Sequence, residues 1–294
     1  MNSLIQELVA SAPVVLDGGW GTLLQARGLG TGECPDAWNI ERPESVQTIA
    51  SLYVAAGSAI ILTNTFRANR IALEGQGLDG KIREINHAGV ELSRAAAGNS
   101  AKVFASIGPT GKMLMAGDVT EERLAEVFRE QAELLAEAGP DALVLETMSD
   151  LTEARIALTV AKATGLPVVV SMVFDSGKER DRTMMGATPE QVAKELTLAG
   201  ADVIGANCGV GIESYVPVCA RLRAATDHPV WIKPNAGLPE MVGGNPIYTT
   251  APEEFARHGP ALIKAGASFI GGCCGTTPDF VRALLEALGK TPSA

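Results

Sequence analysis

Three cysteines carry the sharpest chemical signal in the chain. Cys208 sits in Gly205-Ala206-Asn207-Cys208-Gly209, and Cys273 and Cys274 sit in Gly271-Gly272-Cys273-Cys274-Gly275-Thr276-Thr277-Pro278. Glycines on either side let the backbone turn tightly around a small centre. Three thiolates with no redox demand suit Zn²⁺, which takes tetrahedral sulfur ligation. Two plainer readings compete: buried thiols, or a strained vicinal disulfide between the adjacent pair. A structural zinc site closes with four protein ligands, whereas a catalytic one keeps a position open. No fourth ligand is visible here. His87 and His258 fall in helical stretches and His228 precedes a proline ahead of a strand, while Cys34 lies in an early loop and Cys219 in a helical stretch.

An open position on a three-thiolate zinc centre suits a fourth thiol better than it suits water. Coordination strips the thiol proton, whose free pKa is about 8.5, and leaves a nucleophilic sulfur at neutral pH. The implied chemistry is alkylation of a substrate thiol. Asp17 and Glu146 are carboxylates suited to an ammonium group, and the backbone N–H groups of Gly18 and Gly19 are suited to a carboxylate. A thiol-bearing amino acid meets all three demands.

Such a site needs a scaffold that brings residues 17, 146, 208 and 273 together. Short, mostly continuous apolar runs recur at 14–17, 59–64, 102–107, 142–146, 168–173, 203–207, 230–233 and 268–272. Continuous runs belong to parallel strands buried on both faces. Helical stretches lie between them, such as 121–137 and 151–163, each following a Thr or Asp able to cap it. Ala56-Gly57, Ala138-Gly139, Ala199-Gly200 and Ala265-Gly266 stand just before strands two, four, six and eight, where glycine suits the left-handed end of a helix. A two-strand period is the pattern of a (β/α)₈ barrel, and the expectation is one α/β barrel of this kind over residues 1–294. The alternative, a doubly wound open sheet, wants a phosphate loop after strand one. Asp17-Gly18-Gly19-Trp20-Gly21-Thr22 has neither the dinucleotide spacing nor a phosphate-loop lysine.

In a barrel, chemistry gathers at the C-terminal strand ends. Those ends carry Asp17, Asn64 with Thr65, Ser106, Glu146 with Thr147, Asn207 with Cys208, Asn235, and Cys273 with Cys274. Strands six and eight flank a single strand, so the three sulfurs converge on one point.

Composition narrows the partners. With 46% hydrophobic and 20% charged residues over 294 positions, the chain has ample core material and is not a disordered polymer. Asp and Glu outnumber Lys and Arg 34 to 24, a net charge of −10, which opposes binding to nucleic acid or an anionic membrane. No apolar run reaches the roughly 18–20 residues of a membrane span. The first ten residues hold Glu7 and no basic residue, unlike a signal peptide. Five cysteines are an odd number, unlike a secreted disulfide framework, so the expected compartment is the cytoplasm with reduced thiols.

From residue 15 to about residue 288 the chain resembles the homocysteine S-methyltransferase family. The resemblance rests on Leu16-Asp17-Gly18-Gly19-Trp20-Gly21-Thr22, Thr63-Asn64-Thr65-Phe66, Ile107-Gly108-Pro109-Thr110, Leu145-Glu146-Thr147, Asn207-Cys208, Pro234-Asn235-Ala236-Gly237 and the Gly-Gly-Cys-Cys-Gly-Thr-Thr-Pro run. It implies a zinc-dependent (β/α)₈ barrel that methylates homocysteine to methionine. Cys208, Cys273 and Cys274 would then hold the metal at the reacting centre, and Asp17 and Glu146 would meet the homocysteine amine. Asn64, Ser106, Asn207 and Asn235 would shape the pocket.

The Asn-Thr-Phe and Gly-Pro-Thr phrases are most similar to those of the homocysteine module of cobalamin-dependent methionine synthases. Those enzymes fuse this barrel to folate and cobalamin modules, for which 294 residues leave no room. The expected donor is therefore methylcobalamin carried by a separate corrinoid protein. Betaine-using relatives carry an aromatic cage, a cation–π device. Where they place Trp and Tyr, this chain has Cys34 and Arg67, with Trp20 and Trp38 as the remaining candidate rings. An arginine there disfavours an onium donor such as betaine or S-methylmethionine, which stands as the alternative. A further alternative is a non-catalytic zinc-thiolate sensor or assembly subunit, against which Asp17 and Glu146 argue because a pure zinc site needs neither.

Overall fold

A computed structural model describes residues 2–242 and 245–291 of the chain. Met1, residues 243–244 and residues 292–294 lie outside the described residues. Eight parallel strands form the central sheet: β1 (Val14–Val15), β2 (Ile60–Leu62), β3 (Lys102–Ile107), β4 (Ala142–Met148), β5 (Val168–Met172), β6 (Val203–Gly211), β7 (Val230–Asn235) and β8 (Ala267–Ile270). Each strand pairs with its neighbour in sequence, β8 pairs with β1, and a parallel bridge between Leu16 and Ile60 joins β1 to β2. The fold is thus the expected (β/α)₈ barrel, with helices between the strands. A short antiparallel hairpin, Glu240–Val242 with Asn245–Ile247, follows β7.

The local signals behave as their chemistry dictates. Thr120 caps helix Glu121–Glu137 by accepting from Arg123 N, and Asp150 caps Leu151–Lys162 by accepting from Thr152 N. Gly57, Gly139, Gly200 and Gly266 all have positive φ, the conformation that lets a helix end and turn into the next strand. The first two strands are shorter than their apolar runs. Past Val15, Leu16 N still donates to Ile270 O at 2.8 Å and Asp17 N to Ile60 O at 3.1 Å, while Leu62 N donates to Asp17 Oδ2 rather than to a strand carbonyl. β4, β6 and β7 run past their apolar runs, to Met148, Gly211 and Asn235, with irregular register near the ends of β4 and β6.

Two apolar layers hold the barrel. Strand side chains alternate across the sheet with a period of two. Val15, Ile61, Val103, Leu143, Val170, Ile204 and Ile232 face outward and pack under the helices. Leu16, Ile60, Phe104, Val144, Val169, Val203, Trp231 and Phe269 face inward and fill the barrel's lower interior. Trp231 stacks on Phe104 at 6.1 Å between ring centroids and packs against Phe269 at 5.5 Å, so the interior is a packed plug rather than a channel. No helix among the described residues is long and apolar enough to cross a membrane.

Candidate active site

The period that builds the apolar plug also builds the site above it. Two residues beyond Phe104, Val144, Val169 and Trp231 on the same inward face come Ser106, Glu146, Ser171 and Lys233. All four are buried. One layer higher, at the ends of β6 and β8, the sulfurs of Cys208, Cys273 and Cys274 lie within 4.8 Å of one another. A zinc ion at about 2.3 Å from each of three tetrahedral sulfurs would set them about 3.8 Å apart, so the cluster fits that ion with small adjustment. All five cysteines are free thiols in this structure.

Backbone contacts fix the cysteine loops. Cys273 N donates to Pro234 O at 2.8 Å, and Ala236 N donates to Cys274 O at 2.9 Å. Asn235 ties the two segments together: its Oδ1 accepts from Cys274 N at 3.0 Å and its Nδ2 donates to Gly209 O at 2.7 Å. Asn207 Oδ1 accepts from Thr147 N at 2.8 Å and from Ser171 Oγ at 2.7 Å, while its Nδ2 donates to Thr147 Oγ1 at 2.7 Å. These asparagines therefore shape the site from behind and do not line its cavity.

A cavity of about 260 Å³ opens over the sulfurs. Its wall includes Gly18, Gly19, Asn64, Ser106, Glu146 and the three cysteines, all candidates from the sequence, together with residues such as Pro35, Asp36, Leu62 and Lys233 that were not. Ser106 Oγ donates to Glu146 Oε1 at 2.5 Å, and no donor among the described residues meets Oε2. Asn64 Nδ2 is engaged, donating to Pro35 O at 2.8 Å and Asn39 Oδ1 at 2.9 Å.

This barrel recurs in known proteins. The chain matches the homocysteine S-methyltransferase family over residues 14–288. The chain belongs to that family. It is 28% identical over 303 residues to methionine synthase of Mycobacterium leprae, covering 97% of this chain but 25% of that one. It therefore spans about a quarter of that relative's length. The homocysteine methyltransferase MmuM of Escherichia coli, solved in a metallated form, superposes with a TM-score of 0.80 at 25% identity, over 96% of this chain and 99% of that one. The carboxyl transferase domain of Rhizobium etli pyruvate carboxylase, at 13% identity and a TM-score of 0.56, shares the fold alone. Family membership together with the near full-length match to MmuM supports methyltransferase activity.

Two groups that the sequence offered to a substrate are already engaged within the protein. Asp17 is fully buried, and its carboxylate is already satisfied: Lys233 Nζ pairs with Oδ1, while Leu62 N at 2.7 Å and Trp20 Nε1 at 2.8 Å donate to Oδ2. Glu146 Oε2 is the carboxylate oxygen left for an ammonium group. Gly19 N–H is likewise spent on Thr276, 3.1 Å from its Oγ1 and 3.2 Å from its O. Gly18 N–H, with no acceptor among the described residues, remains for a carboxylate.

Lys233 and Asp36 escaped the sequence reading. Lys233 sits mid-strand in Val230-Trp231-Ile232-Lys233-Pro234-Asn235, and its signal was a lysine two residues beyond an inward Trp in an otherwise apolar run. Asp36, buried and lining the cavity, accepts from Arg67 N at 2.9 Å. Burial pushes its carboxyl up to about 6, against the pull of that hydrogen bond and of the Arg67 charge. Arg67 lines the cavity and is exposed, whereas Cys34 does not line it. Trp20 and Phe66 contribute the aromatic surface, while Trp38 is buried beneath Arg42, whose guanidinium carbon lies 4.4 Å from its ring centre.

Burial also sets the site's electrostatics. It raises the Glu146 carboxyl, with Lys233 and the Ser106 hydrogen bond opposing it. Burial pulls Lys233 down, but Asp17 and Glu146 outweigh that and its ammonium is held above the usual range. Without metal, Cys273 is raised most directly by its hydrogen bond to Cys208. Cys208 is lowered by Cys273 but raised more by Cys274 and by burial, ending at about 12.

Proposed function

We propose that the protein transfers a methyl group to the thiol of homocysteine, forming methionine, with Zn²⁺ held by Cys208, Cys273 and Cys274. The observation that carries this reading is the placing of three convergent sulfurs beneath a cavity that also presents one free carboxylate oxygen, Glu146 Oε2. When bound there, zinc would supply the substrate sulfur as a thiolate at neutral pH. Glu146 would take the amine, Gly18 N–H the carboxylate, and the buried walls would keep water from the reacting sulfur. The sulfur then displaces the leaving group in line, forming the S–CH₃ bond as the donor–CH₃ bond breaks with its electron pair left on the donor.

The donor we propose is a methylcorrinoid presented by a separate protein. A cavity of about 260 Å³ accommodates an amino acid and excludes a corrin ring, so a corrinoid would deliver its methyl at the mouth. The loops around that mouth carry the apolar surface such docking needs. Met113 and Met115 follow β3, Met184 follows β5, and Leu238, Met241 and Ile247 follow β7, all exposed. The second reading, a small onium donor, is favoured by Trp20 and Phe66 in the cavity wall together with the Asp36 carboxylate.

The test is methionine formation by zinc-loaded protein from homocysteine with methylcobalamin, betaine or S-methylmethionine offered separately. Turnover with methylcobalamin alone is expected. Turnover with either onium compound would overturn the donor assignment in favour of the second reading.

A further inference from the structure

We propose that the buried Asp17–Lys233 pair is a positioning device for Trp20, and that the Trp20 indole is the wall on which the hydrocarbon chain of the thiol acceptor lies. The inference rests on the reading that a thiol-bearing amino acid occupies the cavity over the sulfurs.

Lys233 and Asp17 are 1% and 0% exposed, and charges so deeply buried are costly unless paired and hydrogen-bonded. Their contacts divide the carboxylate. Lys233 Nζ pairs with Oδ1, whereas Leu62 N at 2.7 Å and Trp20 Nε1 at 2.8 Å donate to Oδ2. One side chain thus joins the end of β1 to β2, to β7 and to the first residue of helix Trp20–Ala26. An incoming ammonium would meet Oδ1 beside the Lys233 ammonium, a like charge. The pair therefore closes Asp17 to a substrate amine. What it presents to the cavity is a fixed indole.

Trp20 alone of the three tryptophans lines the cavity. Its nitrogen is held by Asp17, and its ring centre lies 6.4 Å from that of Tyr53 at a tilt of 43°. Tyr53 is itself fully buried, its hydroxyl 3.0 Å from Gly19 O and 3.2 Å from Thr276 O. An indole so held has little rotamer freedom left to lose when a ligand packs on it. Much of the remaining wall is polar, with Thr63, Asn64, Ser106 and Glu146. Homocysteine carries two methylenes between its α-carbon and its sulfur, and these need an apolar surface. Trp20 follows directly on Gly18, which faces the acceptor carboxylate, and on Gly19, whose N–H is 3.2 Å from Thr276 O beyond the cysteine pair. Phe66, the other aromatic ring in the wall, packs instead against Gly108 beyond β3.

The experiment combines tryptophan fluorescence with calorimetric titration of zinc-loaded protein by homocysteine. No methyl donor is present, so the outcome is independent of the donor assignment. Asp17→Asn with Lys233→Met and Asp17→Ala with Lys233→Met both remove the two buried charges together. Only the Asn variant keeps an oxygen for Trp20 Nε1 and Leu62 N. Before ligand is added, the Ala variant should show red-shifted emission and stronger acrylamide quenching than the parent, and the Asn variant should not. Homocysteine should bind the Ala variant about tenfold more weakly, and Asn should recover most of that loss. Should the Ala variant fail to fold, Trp20→Ala leaves the Asp17–Lys233 pair intact and should also weaken homocysteine about tenfold. Matching emission and quenching in the Asn and Ala variants would overturn the positioning role, and parental homocysteine affinity in Trp20→Ala would overturn the wall. Equal weakening of homocysteine in both double variants would also overturn the proposal, because it would mean that Asp17 meets the amine itself. A parent that binds no homocysteine would sink the acceptor reading instead, and the ligand-free spectra would still decide whether the pair holds Trp20.

Discussion

Asn207 grips Thr147 by two hydrogen bonds, its Oδ1 2.8 Å from Thr147 N and its Nδ2 2.7 Å from Thr147 Oγ1. Thr147 follows Glu146 and has φ 61°, while Cys208 follows Asn207 and has φ 63°. Left-handed backbone at a β-branched residue is costly and persists only when its surroundings enforce it. One amide side chain therefore fixes the chain beside both the carboxylate and the first sulfur. Asn207→Ala strips partners from Thr147 N, Thr147 Oγ1 and Ser171 Oγ, and should cost about 2–4 kcal/mol in urea unfolding. Zinc affinity and homocysteine binding should fall together. Parental values for both would show that Thr147 is held by other contacts.

Gly19 lies so close to the second cysteine loop that a side chain cannot fit. A Cβ there would stand 2.6 Å from Cys273 O and 2.8 Å from Thr22 Oγ1. The carbonyl is backbone and can yield only by moving Cys273. Gly19→Ala should keep the barrel's circular dichroism but weaken zinc about tenfold or more, as metal titration would show. Gly21→Ala is the control, since its Cβ meets nothing within 4 Å. It should retain zinc and gain about 0.5–1 kcal/mol from helix propensity.

The sequence made the barrel legible because its signals are local. Apolar runs, capping residues such as Thr120 and Asp150, and glycines such as Gly57 and Gly139 act within a few residues of themselves. The cysteine cluster was legible because parallel order brings strands six and eight to either side of one neighbour. What sequence could not supply was the state of each polar group. Asp17 reads as a free rim carboxylate until the fold sets Lys233 against it across 216 residues. Gly19 reads as a free amide until Thr276 arrives from 257 residues away. Competition for a hydrogen-bonding group is a tertiary property, and motif order does not encode it.

Asp36 offers a pH test of the cavity mouth. Its carboxyl is raised by burial from 3.8 to about 6, so the folded state binds a proton more tightly than the unfolded chain does. Its contribution to stability is fully present below about pH 3.8 and is lost as pH rises through about 6. Above that range the buried anion costs at most about 3 kcal/mol. Asp36→Asn keeps an acceptor for Arg67 N and removes the charge. The variant should be more stable than the parent to urea at about pH 7.5, with the advantage gone near pH 4. An advantage independent of pH would mean that desolvation of Asp36 is not its source.

Metal loading provides the last test, because it separates the ligands from the scaffold. The three sulfurs stand beyond the strand ends, above a plug of Phe104, Trp231 and Phe269 that does not depend on them. Chelation should therefore leave the far-ultraviolet spectrum unchanged, unlike a small zinc domain that unfolds without its ion. Cys273→Ala should remain folded and retain no stoichiometric zinc. In the metal-free protein the thiols of Cys208 and Cys274 are pushed up to about 12, and that of Cys273 is raised as well. All three are then protonated at neutral pH and must lose their protons to bind metal. Zinc uptake should release about three protons, measured with an indicator dye, and affinity should fall as pH is lowered. Uptake without proton release would mean that these sulfurs are not the ligands.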